Sequence, residues 1–280
     1  MNKKALLKVR RGMLLQLCSI FLLLNFFTFA RAAPAWKDEL TSSALGSFPM
    51  LLPTQIEMQM SWKGMIQAGS VRMEFSPRDK EKLDTYLIRS SAASMGVAAT
   101  IFPYKSDFWS ELDPNTLRPR YFNAVKIDKA EHVTTEVHYF PDRVESKESK
   151  KILKSGTTQQ TDRTFAFTPI FDVFSAMLHI RSQNLNVGDR ITIVLCPFNA
   201  PYLLKIRVIA HEVHEGRDAI HLGLGMQKID RKTLKLKPYK KLKKEASLWL
   251  SNDADRIPIE LRATVFIGDV RAKLVTHKKL

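Results

Sequence analysis

Residues 55–62 read Gln-Ile-Glu-Met-Gln-Met-Ser-Trp, and their alternation decides the fold class. Ile56, Met58, Met60 and Trp62 fall on one face of an extended chain, and Gln55, Glu57, Gln59 and Ser61 on the other. The same period of two recurs along the chain. Val71, Met73 and Phe75 alternate with Arg72 and Glu74, and residues 131–140 form another such stretch that turns at Pro141-Asp142. Tyr202, Leu204, Ile206, Val208 and Ala210 line one face of a long strand that ends before Gly216. The last two strands are expected over residues 257–265 and 270–275, with Gly268-Asp269 between them. Half-buried strands of this kind belong to antiparallel sheets with one wet face. The expected fold is therefore mainly β: an antiparallel curved sheet or open β-barrel with one buried helix and a second short helix.

Two segments break the alternation. Ser91 to Tyr104 is rich in small residues and reads as a short helix ending near Pro103. The second is sharper. Thr168-Pro169 offers a cap residue and a first-turn proline, and Asp172 adds negative charge near the helix start. Ile170, Phe171, Val173, Phe174, Ala176, Met177, Leu178 and Ile180 then point in nearly every direction around the axis. A helix apolar on all sides must be buried on all sides, and the concavity of a curved sheet satisfies that.

The N-terminus reads as an export signal. Lys3, Lys4, Lys8, Arg10 and Arg11 precede an almost wholly apolar run from Met13 to Phe29, followed by Ala30-Arg31-Ala32. A basic segment, an apolar segment and an Ala-x-Ala site make a secretory signal peptide over residues 1–32, with an uncleaved anchor as the alternative. Residues 33–53, with Pro34, Pro49 and Pro53, read as a loosely packed lead-in, and residues 54–280 as a single β-rich domain. Nothing later is apolar for long enough to span a bilayer, so the mature protein is expected to be soluble, in the periplasm of a Gram-negative bacterium.

The chain of 280 residues has 44 Lys+Arg against 28 Asp+Glu and is 45% apolar, which excludes a disordered chain or a disulfide-stapled miniprotein. Loss of residues 1–32 removes six basic residues and no acid, leaving a net charge of +10. In an exported protein this surplus points away from nucleic acid and towards phospholipid headgroups, lipopolysaccharide phosphates or acidic wall polymers. The cysteines are Cys18 and Cys196; Cys196 alone remains after cleavage and reads as a small buried residue of the strand beginning at Ile191.

Several constellations resemble catalytic or metal sites without meeting their geometry. In His211-Glu212-Val213-His214 the second histidine comes one residue too early for the helical zinc motif. On a strand the two would face opposite sides, so they read as surface histidines. Asp172, Ser175 and His179 have the residue types of a hydrolase triad, but Asp172 would lie about 10 Å from His179 along a helix. Asp172 reads instead as a helix-start residue and Ser175 as a packing contact. Ser251, Asp253, Asp255 and Arg256 form a polar loop that reads as an Asn-Asp turn tied to an arginine, and as the first place to look for a polar site. No phosphate loop, nucleophile elbow or metal-spaced Cys/His set occurs, so neither an enzyme nor a cofactor is expected. Residues 228–244 hold nine basic residues and one acid, Asp230; Leu234 and Leu236 alternate with Lys235 and Lys237 in a cationic strand or solvated hairpin.

The ordered series Asp172-Val173-Phe174-Ser175-Ala176, Arg181, Val187-Gly188-Asp189, then Trp249-Leu250-Ser251-Asn252-Asp253 leading to Arg256-Ile257-Pro258-Ile259 resembles a bacterial family catalogued as domain of unknown function 3108. Trp62-Lys63-Gly64 with Ala68-Gly69, and Leu112-Asp113-Pro114 with Leu117-Arg118-Pro119, extend the resemblance over about residues 55–275. It implies an exported, mostly antiparallel β protein and carries no activity with it; a likeness to the open barrels of periplasmic lipoprotein carriers is an analogy of fold. Two functions are expected from the residues. The first is a non-catalytic module holding a lipid, lipidated protein or other apolar ligand, with Phe174, Met177, Arg181, Ser251, Asp253 and Arg256 as candidate ligand-binding residues. The second is an interaction protein docking on an anionic envelope surface through Lys235, Lys237, Lys240, Lys241, Lys243 and Lys244.

Overall fold

The computed structural model describes residues 34–48, 51–77, 84–265 and 268–280. The expected leader, with Cys18, lies outside them. The chain divides into two compact units, Met1–Asp38 and Glu39–Leu280, and the second carries the sheet.

Eight strands form an antiparallel meander: β1 (Thr54–Trp62), β2 (Ile66–Pro77), β3 (Tyr86–Ser94), β4 (Tyr104–Leu112), β5 (Pro119–Asp128), β6 (Glu131–Tyr139), β7 (Val144–Ile152) and β8 (Thr158–Phe165). A short helix α1 (Gly96–Ile101) interrupts it between β3 and β4, and helix α2 (Val173–Ser182) follows it. The second run comprises β9 (Arg190–Leu195), β10 (Tyr202–His214), β11 (Arg217–Ile229), β12 (Leu236–Pro238), β13 (Ala246–Ser251), β14 (Pro258–Val265) and β15 (Gly268–Lys279). Because β15 pairs with β1, both runs join in one open, curved antiparallel sheet whose path begins at β8 and ends at β9, with β12 appended to β11.

The alternation at residues 55–62 is the strand expected, with Ile56 and Met58 buried. The face of β10 is not what simple alternation gives. Its pairing with β11 shifts register between Val208 and Ala210, so Val208 opposes Leu222 while Ala210 opposes His221. A bulge of one residue sends Ala210, Glu212 and His214 to the side opposite Val208.

The segment Ser91–Tyr104 is mostly not helical. Residues 91–94 complete β3, held by β2 on one side and β4 on the other, and only Gly96–Ile101 coils. Two-sided sheet pairing outweighs the helix propensity of the small residues there. Helix α2 also starts later than its sequence suggests. Phe171 is held extended by β9, donating to Val194 O at 3.0 Å and accepting from Cys196 N at 2.8 Å, so coiling begins only at Val173. The cap is Asp172. Its carboxylate accepts from Phe174 N (2.7 Å) and Ser175 N (2.8 Å), while Ser175 Oγ accepts from Asp172 N in a reciprocal capping box. Ser110 of β4 donates to the same carboxylate at 2.6 Å, tying the helix to the meander.

Apart from Val173, which is exposed, α2 is buried or half-buried along its length. Ala176 and Ile180 pack with Ile191, Ile193, Ile206, Val208, Ile220, Leu222 and Leu250 in the main core. Phe174 faces the other way, 6.2 Å from the ring of Phe108 and 6.3 Å from that of Phe122. Over residues 39–48 the lead-in is not loose. Thr41 N donates to Thr192 O at 3.0 Å and Phe48 N to Ser182 O at 3.0 Å, so β9 and α2 satisfy backbone groups that a free segment would leave to water.

Candidate functional site

The candidate ligand residues of α2 and of the 251–256 loop do come together, and they bind each other. Arg181 donates Nε to Asp255 O and a terminal nitrogen to Ala254 O, both at 2.9 Å. Arg256 returns the contact, donating to Arg181 O (3.0 Å), Asn184 O (2.9 Å) and Gln183 O, while its guanidinium lies 3.2 Å from the centroid of Phe48. Ser251 donates to Asp253 Oδ1 at 2.8 Å, and that oxygen also accepts from Asp255 N and Arg256 N. Loop and helix are thus locked by two crossed arginines: Arg181 meets carbonyls of the loop, and the charge of Arg256 meets the carbonyl dipoles at the helix C-terminus. Two of the stretches carrying the family resemblance meet here. Burial depresses the Arg256 pKa to about 10, and the neighbouring Arg181 adds to this.

Phe174 packs against the buried Phe122 and the half-buried Phe108, and Met177, one turn on, is half-buried. Asp172, Ser175 and His179 make no triad: the carboxylate caps the helix and Ser175 bonds only within the cap. The His179 ring stacks on Phe171 at 4.8 Å; burial, with Arg118 second, pushes its pKa down to about 4, so it sits neutral. Cys196 is buried and its thiol is pushed up to about 12 by desolvation, which makes it a poor nucleophile.

The histidines at 211 and 214 do face opposite sides. His211 Nε2 meets Leu185 O at 2.8 Å, beside the main core. His214 is not a surface histidine; it meets the buried Glu260 Oε2 at 2.6 Å and stacks on Trp249 at 4.1 Å, with His221 also stacked on Trp249 at 4.3 Å. His214, Glu215 and Glu260 bring their ligand atoms within 4.8 Å of one another, a grouping that crosses from β10 to β14 and has no signature in the local sequence. Arg262 grips Glu260 with two nitrogens (2.6 and 2.9 Å), and Lys273 pairs with Glu215 at 2.8 Å. A cation there would compete with two fixed positive charges.

The basic segment is largely exposed. Lys237 of β12 pairs with Asp230 at 2.6 Å, whereas Lys235, Lys240, Lys241, Lys243 and Lys244 extend to solvent. Lys243 N donates to Thr264 O, which places this loop at the β14–β15 end of the sheet. That end also carries the β1–β2 turn, because Trp62 pairs with Val270 and Lys63 N donates to Asp269 O at 2.8 Å. In an antiparallel meander the β3–β4 connection, with α1, falls on the same end. There Met65 is 79% exposed, Val97 66% and Phe102 65%, with Trp62, Ile66 and Ile101 also exposed. Large apolar side chains left exposed together at one end of a sheet are the kind of surface that marks interaction sites. Its sequence signal was available: large apolar residues sit beside turn glycines, at Met65 after Gly64 and Val97 after Gly96. Both glycines adopt positive φ.

Open, barrel-like antiparallel sheet with an internal helix defines the class. Residues 57–275 match the family described as Protein of unknown function (DUF3108), and the chain belongs to that family. Among solved structures it is similar to a β-barrel-like protein of domain of unknown function DUF1849 from Brucella abortus, at 11% identity and a TM-score of 0.52, covering 82% of this chain and 99% of that one. A Bacteroides fragilis protein assigned to the exported class, with a YmcC-like fold, aligns at 6% identity and a TM-score of 0.32, covering 84% of this chain and all of that one. No curated protein matches the sequence. Among the described residues no helix is long and apolar enough to cross a membrane.

Proposed function

We propose that this protein is an exported, non-catalytic envelope module that docks on an anionic phospholipid surface. The observation that carries this reading is the placement of exposed Met65, Val97 and Phe102 at the same end of the sheet as the Lys240–Lys244 loop. Apolar side chains enter the headgroup boundary while lysines face the phosphates, so the two terms add. The N-terminal export pattern and the net positive charge agree with an envelope location. The other expectation, an apolar ligand held around residues 170–180, draws less support because Phe174 already packs against Phe108 and Phe122.

Each lysine contributes at most about 1 kcal/mol near an anionic surface. Changing Lys240, Lys241, Lys243 and Lys244 together to Gln is therefore expected to weaken co-sedimentation with anionic vesicles by roughly ten- to a hundredfold at low salt. The difference should shrink as the Debye length falls towards about 3 Å at 1 M salt. Neutral vesicles should retain parent and variant alike. Equal retention of both on anionic vesicles at low salt would contradict the reading.

A further inference from the structure

A second concentration of positive charge lies in a concavity of about 490 Å³ between β8, the loop before β10 and the turn after β11. Arg163 from β8 and Arg231 from the turn both donate to a single acceptor, Asn199 O, at 3.4 and 3.2 Å. Two guanidinium groups thus meet at one neutral oxygen. Among the described residues neither has a carboxylate within ion-pair distance, and the nearby Asp230 is held by Lys237 at 2.6 Å. Lys228 and Lys232 line the same wall, and Asp162 is the remaining acid there. Desolvation, and then the charge of Arg163, depress the Arg231 pKa, as expected of cations that repel each other away from full solvent.

Arg163, Lys228, Arg231, Lys232 and Lys237 outnumber Asp162 and Asp230 in the lining, and this surplus of positive charge calls for an anion. A guanidinium carries five donors in a planar fork suited to two oxygens of one phosphate, and the bond to Asn199 O uses one of them on each arginine. We infer that this concavity is a phosphate-group site, with Arg163 and Arg231 as the gripping residues and Lys228 and Lys232 at its wall. The inference goes beyond surface docking. Lys240, Lys241, Lys243 and Lys244 take no part in the concavity, so either reading can fail alone.

The test is calorimetric titration of the exported protein at low ionic strength with inorganic phosphate, glycerol 3-phosphate and a short-chain phosphatidic acid below its micelle concentration. The parent is expected to bind at least one of them at one site. Arg163→Gln with Arg231→Gln should weaken that binding at least tenfold, whereas the variant with glutamine at 240, 241, 243 and 244 should bind as the parent does. Equal affinity for glycerol 3-phosphate and phosphatidic acid would assign the site to soluble phosphoesters, and tenfold tighter phosphatidic acid would assign it to a lipid headgroup; both outcomes support the site. Should the double arginine variant fail to fold, Lys228→Gln with Lys232→Gln, at exposed positions, should still weaken binding severalfold. Failure of the parent to bind all three compounds, or equal binding by the parent and the concavity variants, would overturn the inference and leave the arginines as ties for the Asn199 loop.

Discussion

Replacing Phe174 with aspartate is expected to abolish folding of the sheet-bearing unit. The ring is 7% exposed and lies among Phe108 and Phe122 on the inner side of the meander. Its loss alone costs about 3–5 kcal/mol, and an unpaired carboxylate in that position adds several more. Together these approach the whole stability of an ordinary domain, about 5–15 kcal/mol. Asp172, two residues away, shows what an acid needs to survive at this depth: donors from Ser110, Phe174 and Ser175. Position 174 points away from that cap. Thermal unfolding followed by circular dichroism checks the expectation, with Phe174→Leu as the apolar control that should keep a cooperative transition. An aspartate variant as heat-stable as the parent would mean that α2 is not interior.

The second large effect is expected at the crossed arginines. Arg256→Ala leaves the carbonyls of the buried Arg181, the half-buried Gln183 and the exposed Asn184 without their charged donor. Hydrogen bonds to charged groups contribute about 1.5–3 kcal/mol each, but water can replace the donor at the more open Gln183 and Asn184, so a loss of about 3–5 kcal/mol is expected for the set. For a unit of this size that lowers Tm by roughly 10 °C. Arg256→Lys keeps the charge but not the fork and should fall between. Scanning calorimetry of the three proteins is the measurement, and an unchanged Tm for Arg256→Ala would show that the clamp carries no stability.

The class of fold was readable where inward positions are large and apolar, as at Ile56 and Met58 or Ile206 and Val208. Strands β4, β5, β7 and β8 were harder to read because their inward positions are often small or polar. Ser106, Ser110, Ala124 and Ser146 are all buried, so alternation there does not contrast apolar with polar. The helix at 173–182 announced itself by its apolar circumference. Its cap was misplaced because the extended pairing of Phe171 with β9 is a contact between distant segments. The same limit hid the candidate sites. The arginine clamp joins residues 72–75 positions apart, Glu260 reaches His214 across 46, and Arg163 and Arg231 converge on Asn199 from β8 and from the turn after β11. Spacing along a chain reports only what one element brings together.

The central claim is that the end of the sheet carrying α1 and the lysine loop meets the bilayer. The most direct measurement attaches an environment-sensitive fluorophore at Val97→Cys or, separately, at Val213→Cys, with Cys18 changed to Ser and the buried Cys196 left in place. Both valines are exposed, at 66% and 71%, but Val213 lies near the β10–β11 turn, at the other end of those strands from the lysine loop. On anionic vesicles containing brominated lipids, the label at position 97 should be quenched and blue-shifted, while the label at 213 keeps its emission in water. Equal quenching at the two positions, or none at position 97, would contradict the account.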